Sequence, residues 1–237
     1  MPWPCSTMPS RWRTASWADV SIVLFDLDGT LTDPKEGITK SVQHALRALG
    51  HQADDLEALT PYIGPPLRDS FQAMAGLNAA DAEIAVDAYR DYFGAQGIFE
   101  NVPYEGVREV LAGLAAEGRR LAVATSKPTV FAETVLEHFE LRGWFEAVAG
   151  AEMDGTRSRK SEVIAHALAL LNGEASRTGV MVGDRQHDIV GAHEAGVSSI
   201  GVLWGYGGIE ELILAEPDRL AGAVDELPAL IAEVARS

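Results

Sequence analysis

The chain has one cysteine, Cys5, in 237 residues. An intrachain disulfide is therefore excluded, and a reducing compartment, the cytoplasm, is the expectation. Lysine is nearly as scarce, with Lys35, Lys40, Lys127 and Lys160 the only four. No run of about 18 apolar residues occurs, so no membrane-spanning helix is expected. A net charge of −16 argues against the basic patches that nucleic-acid polymers and anionic membranes require. Residues 1–19 hold three tryptophans, three prolines and two arginines. They lack the continuous apolar stretch of about 7–15 residues that a signal peptide needs. They read as an irregular extension, with Met8 as an alternative start. Composition does not choose between a monomer and a dimer.

What is present is a globular composition, 47% hydrophobic, in a chain long enough for one large domain or two smaller ones. Apolar, β-branched runs fall at 21–25, 121–125, about 145–149, 180–183 and 197–203. Amphipathic patterns at about 105–117, 128–139, 159–171 and 187–195 separate them. Strands alternating with helices predict an α/β core, a doubly wound, Rossmann-like parallel sheet covered on both faces. Sites in such sheets lie beyond the carboxyl ends of the strands. Residues 36–98 carry no strand pattern and read as helices at 37–49, 66–75 and 80–93. Pro34 and Asn101–Glu105 flank this block as hinges. The expected organisation is an extension at 1–19, a core from 20–34 and 103–237, and a helical insert at 35–102.

Chemistry-bearing residues gather at the predicted strand ends. FDLDGTLTD (25–33) places Asp26 and Asp28 on one face of extended backbone. Two such carboxylates repel unless a cation or a shared proton lies between them. An Asp-Gly turn is the plainer reading of this pair alone. LAVATSKP (121–128) ends a strand at Thr125-Ser126, and Lys127-Pro128 opens a helix whose N-terminus suits an anion or is an ordinary cap. DGTRSRKSEVI (154–164) starts a helix at Lys160, otherwise a solvated cation. VMVGDRQHDIVGAHEAG (180–196) delivers Asp184 from a strand and Asp188 at a helix start, where carboxylates also suit the helix dipole. His187 between them is expected outside an oxygen-rich site. PYIGPPLRDSF (61–71) contains the stiff turn Gly64-Pro65-Pro66. GVLWGYGG (201–208) reads as a backbone segment bordering the site after the last strand, without dinucleotide-binding spacing.

Taken together, these strings resemble the four motifs of the haloacid dehalogenase-like phosphohydrolases. The resemblance implies that Asp26 is the nucleophile and Asp28 the general acid/base. It implies that Thr125, Ser126, Gly29 and the main-chain N–H groups of Leu27 and Ser126 hold the phosphoryl group. Lys160 is implied to neutralise Asp26 and phosphate oxygens, although relatives often have Lys-Pro where this chain has Lys160-Ser161, with Arg157 and Arg159 adjacent. Mg²⁺ is implied on Asp26, the Asp28 main-chain carbonyl and Asp184, with Asp188 a ligand or a support for one. Lys127 matches a lysine frequent in phosphoglycolate-phosphatase-like members. The helical insert resembles the family's small cap. Its turn resembles the specificity loop of a subgroup with phosphoglycolate phosphatases and bacterial 5′-nucleotidases, which nominates Gly64, Pro65, Arg68 and also Arg157 as substrate contacts. The implied activity is Mg²⁺-dependent hydrolysis of a small phosphorylated metabolite, a nucleotide-like, sugar or glycolate phosphate, through an aspartyl phosphate. A phosphomutase is the alternative. A noncatalytic binding protein would be expected to have lost part of this set, and Asp28 argues against a dehalogenase.

Overall fold

A computed structural model describes residues 22–171 and 179–234. The readings of residues 1–19 as an extension and of Met8 as a start lie outside the described residues. Along the chain come β1 (Ile22–Phe25), β2 (Thr32–Asp33), α1 (Lys35–Ala48), α2 (Leu67–Ala75), α3 (Ala79–Ala95), β3 (Val102–Pro103) and α4 (Val107–Ala116). They are followed by β4 (Arg120–Pro128), α5 (Thr129–His138), β5 (Ala147–Ala151), α6 (Lys160–Leu170) and β6 (Gly179–Gly183). The last elements are α7 (Gln186–Ala195), β7 (Ser198–Val202), α8 (Gly208–Leu214), β8 (Arg219–Ala221) and α9 (Leu227–Val234). Six strands form one sheet in the order β5-β4-β1-β6-β7-β8, and every pair in it is parallel. The core is therefore the predicted α/β, Rossmann-like sheet.

Strand β1 shows why the sequence folds this way. Its four residues are all apolar and all buried, as a strand covered on both faces requires. The period of two sends Val23 and Phe25 to one face and Ile22 and Leu24 to the other. Val23 and Phe25 pack with Leu111 of α4, Val135 of α5 and Ile231 of α9. Ile22 and Leu24 pack with Val163 and Ile164 of α6 and Ala192 of α7. Because β1 pairs with both β4 and β6, Phe25 opposite Val123 and Val182, the residues just beyond these positions lie side by side.

Between β2 and β3, α1, α2 and α3 are joined by turns, one of them a 3₁₀ turn at Glu57–Tyr62. Helix α3 is capped by Asn78, whose side chain accepts from the Asp81 N–H. Ile38 and Val42 of α1 join Val86 and Phe93 of α3 in the same apolar cluster as the sheet face below. The two chain crossings pair as a short antiparallel ladder, Thr32 opposite Pro103 and Asp33 opposite Val102.

Two local expectations need correction. Strand β4 does not end at Thr125-Ser126. It runs to Pro128, which pairs with Ala151 after a register shift beyond Ala124, and the helix starts at Thr129. Proline disfavours helical backbone at the residue before it, so Lys127 stays extended. Strand β7 is not the last strand either. The three-residue β8, RLA, is too short and too polar to announce itself, and the glycine-rich loop lies between the two.

Candidate active site

Asp26 follows directly on β1, and its N–H donates to the Val182 carbonyl of β6 at 2.9 Å, which fixes the backbone there. The chain then wraps around Leu27, whose carbonyl accepts from Leu31 at 2.9 Å and Thr32 at 3.1 Å. Gly29 lies in this turn at φ 85°, a left-handed conformation that favours glycine. A Cβ there would stand 2.3 Å from Asp184 Oδ2, so the site admits no side chain at this position. Asp184 follows directly on β6 and is fully buried. Its Oδ2 accepts from the Tyr206 N–H at 2.7 Å and its Oδ1 from the Thr30 hydroxyl at 3.4 Å. The loop carrying Tyr206 thus borders the site, as expected, and the Trp204 indole donates to the Thr30 carbonyl at 3.1 Å.

Lys160, the first residue of α6, is 6% exposed. Its Nζ lies 3.0 Å from Asp26 Oδ1 and 2.7 Å from Asp188 Oδ1, and donates to the Ala124 carbonyl at 3.2 Å. Asp188 also caps its own helix, its Oδ2 accepting from the Arg185 N–H at 3.0 Å. Asp188 thus serves the start of its helix and meets Lys160 with its other oxygen.

Asp26, Asp184 and Asp188 each offer one oxygen within 4.8 Å of the others, and all three are buried. Lys160 pairs with two of the three carboxylates, Asp26 and Asp188. Burial, then the charges of Asp188 and Asp26, push the Asp184 carboxyl well above the usual range. Burial likewise raises Asp188 to about 6 against the pull of Lys160. An oxygen-only, charge-deficient pocket of this kind fits a hard divalent cation. The Asp28 side chain stands outside this trio, and His187 is exposed on α7.

Asp28 Oδ2 instead meets Lys127 Nζ at 2.5 Å, while its Oδ1 is buried without a hydrogen-bond partner. Burial raises this carboxyl, and Lys127 opposes the rise. Lys127 is itself 8% exposed and sits over the Phe93 ring of α3, 4.6 Å from its centroid. Asp26, Asp28, Thr125 and Ser126 line a hollow of about 1030 Å³, open mouth included. Tyr62, Tyr89, Phe93 and Phe131 supply its apolar wall.

The remaining sequence expectations divide. Thr125 is 1% exposed, and its hydroxyl accepts from the Lys127 N–H at 3.2 Å. The Leu27 N–H, expected on a phosphoryl oxygen, donates to Asp26 Oδ1 at 2.8 Å. Gly64, Pro65 and Arg68 border the hollow, with Arg68 ion-paired to Glu83 of α3. Gly64 has φ 102°, and Arg185 packs against it while donating to the Ile63 carbonyl. Arg157 does not line the hollow; its guanidinium is held by the Gly150 carbonyl and Glu152. Sequence reasoning gave Lys127 no role and missed Arg185. The scarcity of lysine was the available signal for the first; nothing in the sequence marked the second.

Comparison with known proteins gives the family. The model of the haloacid dehalogenase-like hydrolase family matches residues 23–202. A 5′-nucleotidase of Pseudomonas aeruginosa is 47% identical over 195 residues, 82% of this chain and 88% of that protein. The tyrosine-protein kinase PtkA of Mycobacterium tuberculosis is 45% identical over 186 residues, 78% of this chain but 63% of that protein. The crystal structure of a predicted phosphatase from Clostridium acetobutylicum superposes with a TM-score of 0.88 at 46% identity, covering 90% of this chain and 99% of that one. The chain belongs to the haloacid dehalogenase-like hydrolases, as a phosphatase acting on phosphoric monoesters.

Proposed function

We propose that this phosphatase hydrolyses a small phosphomonoester, with a nucleoside 5′-monophosphate the foremost candidate, through an aspartyl phosphate on Asp26. The single observation that carries the reading is the juxtaposition of Asp26 and Asp28, which line the apolar hollow, with Asp184 beyond β6 and Lys160 at the start of α6. Asp26 attacks phosphorus, and the ester oxygen leaves with a proton from Asp28. Asp28 then takes a proton from the water that hydrolyses the acyl phosphate. Lys160 offsets the charge of Asp26 and of the transferring group. Thr125 and Ser126 border the space for phosphoryl oxygens.

Asp26, Asp184 and the Asp28 main-chain carbonyl would hold Mg²⁺, with Asp188 supporting them through Lys160. Bound there, the ion supplies positive charge against the repulsion between anionic nucleophile and anionic ester. The helices between β2 and β3 act as the cap that covers the leaving group. The aromatic wall favours a leaving group with a planar face, and the 5′-nucleotidase relative points the same way. The direct test is phosphate release from 5′-mononucleotides, sugar phosphates and phosphoglycolate, with and without EDTA. Release should vanish with EDTA, return with Mg²⁺, and be fastest with the nucleotides. Release undiminished after complete metal removal would sink the metal role, and transfer between sugar phosphates without net release would favour a mutase.

The raised carboxyls carry a pH signature. A carboxyl whose pKa is higher in the folded state stabilises the fold below the unfolded value and loses that stabilisation as pH rises. For Asp188 the window runs from 3.8 to about 6, and Asp184 extends it upward. The metal-free protein should therefore melt at lower temperature as pH rises through this window. The gain in melting temperature on adding Mg²⁺ should be small near pH 5 and larger near pH 8, since the ion competes with protons for the same oxygens. A gain independent of pH would contradict the carboxylate site.

A further inference from the structure

We propose that Lys127 positions the general acid: by holding Asp28 Oδ2 it fixes how the carboxyl is presented to the departing ester oxygen, and its contact with Phe93 ties that presentation to helix α3. The inference rests on the proposed reaction and assigns a residue that reaction does not require by itself.

The two oxygens of Asp28 are not equivalent. Oδ2 carries the ammonium of Lys127 at 2.5 Å; Oδ1 is buried and has no hydrogen-bond partner. A carboxyl free to rotate would exchange the two. An ammonium pinned on one of them prevents this, because turning the carboxyl would break a buried ion pair. Lys127 is pinned in its turn. It extends from β4, two residues beyond Thr125, where the register shift and Pro128 keep the backbone extended. Its ammonium lies over the Phe93 ring, and Phe93 stacks on Tyr89 of α3 at 5.5 Å and meets Phe131 of α5 edge-on at 5.3 Å. The two buried lysines thus divide the work. Lys160 faces Asp26 and Asp188, the side where the new bond forms. Lys127 faces Asp28 and the aromatic wall, the side where the old bond breaks.

In the step concerned, the bond between an Asp26 carboxylate oxygen and phosphorus forms while the ester P–O bond breaks. The electron pair of that bond goes to the ester oxygen, which takes the proton from the Asp28 carboxyl. Asp28 is left as the carboxylate beside Lys127, and no further reactant is needed. The need for this proton depends on the leaving group. An alkoxide, as from a nucleoside 5′-monophosphate, requires it. A nitrophenolate leaves unaided.

The test is the first-turnover rate of leaving-group release from a nucleoside 5′-monophosphate and from p-nitrophenyl phosphate. It is run on the wild type, Lys127→Met, Asp28→Asn and the double variant. Lys127→Met should slow the nucleotide about 10²-fold and the nitrophenyl ester less than about tenfold. Added to Asp28→Asn, it should cost nothing further. Equal losses on both esters, or losses that multiply in the double variant, would overturn the proposal and make Lys127 a phosphate-binding or merely structural residue. If Lys127→Met alone fails to fold, the double variant, which removes both buried charges, is compared with Asp28→Asn and decides by the same criterion. Ester-selective loss in Asp28→Asn with uniform loss in Lys127→Met defeats only this inference. No ester-selective loss in Asp28→Asn defeats the assignment of Asp28 itself.

Discussion

Asp26→Asn is expected to lower phosphate release by at least about 10⁴-fold while leaving the metal-free protein no less stable than the wild type at neutral pH. The catalytic loss follows because asparagine keeps the shape but removes the nucleophilic oxygen. The stability follows from the charges. Asp26 contributes to the upward push on both Asp184 and Asp188, so removing its charge relieves a repulsion. Lys160 keeps Asp188 at 2.7 Å and the Ala124 carbonyl, so it is not orphaned. The variant should also show a smaller gain in melting temperature from Mg²⁺, because Asp26 no longer brings a carboxylate charge to the proposed site. Activity assays and thermal melts with and without Mg²⁺ check all three. A variant that loses activity only because it unfolds would not fit this account.

Lys160→Met should have the largest effect on stability. The change leaves Asp26 and Asp188 in a buried cluster without their shared cation. Removing one partner of a buried ion pair typically costs about 3–5 kcal/mol. The loss should be greatest above the raised pKa of Asp188, about 6, where the carboxylates are ionised, and should shrink as pH falls through it. Denaturant melts across that range measure it. A uniform loss at every pH would mean that Lys160 contributes through packing of its stem on Gly191 rather than through its charge.

The sequence made the sheet legible because its strands are short, apolar on both sides and separated by helical periods. Strand β1 and the acidic ends of β1 and β6 could be read directly. The strand β8 could not, since three residues containing Arg219 carry no period. The end of β4 was misplaced because Thr125-Ser126 looks like a cap, whereas the proline at 128 and pairing with β5 keep the chain extended. The candidate residues Asp26 and Asp184 follow apolar strands directly, so a local pattern marks them. The Asp28–Lys127 pair spans 99 positions and the Lys127–Phe93 contact joins a strand to an inserted helix, so neither has a local pattern. Arg157, a cation near these residues in sequence, has its guanidinium committed to Gly150 and Glu152, which no local pattern announces.

The central claim is that Asp26 carries the phosphoryl group. Asp28→Asn treated with p-nitrophenyl phosphate and Mg²⁺ tests it most directly, because the first step then needs no acid while the second lacks its base. The account predicts a burst of nitrophenol close to stoichiometric with enzyme, and acid quenching followed by mass spectrometry should find phosphate on Asp26. Linear nitrophenol release without a burst, with no phosphate on Asp26 while the wild type turns over normally, would contradict it.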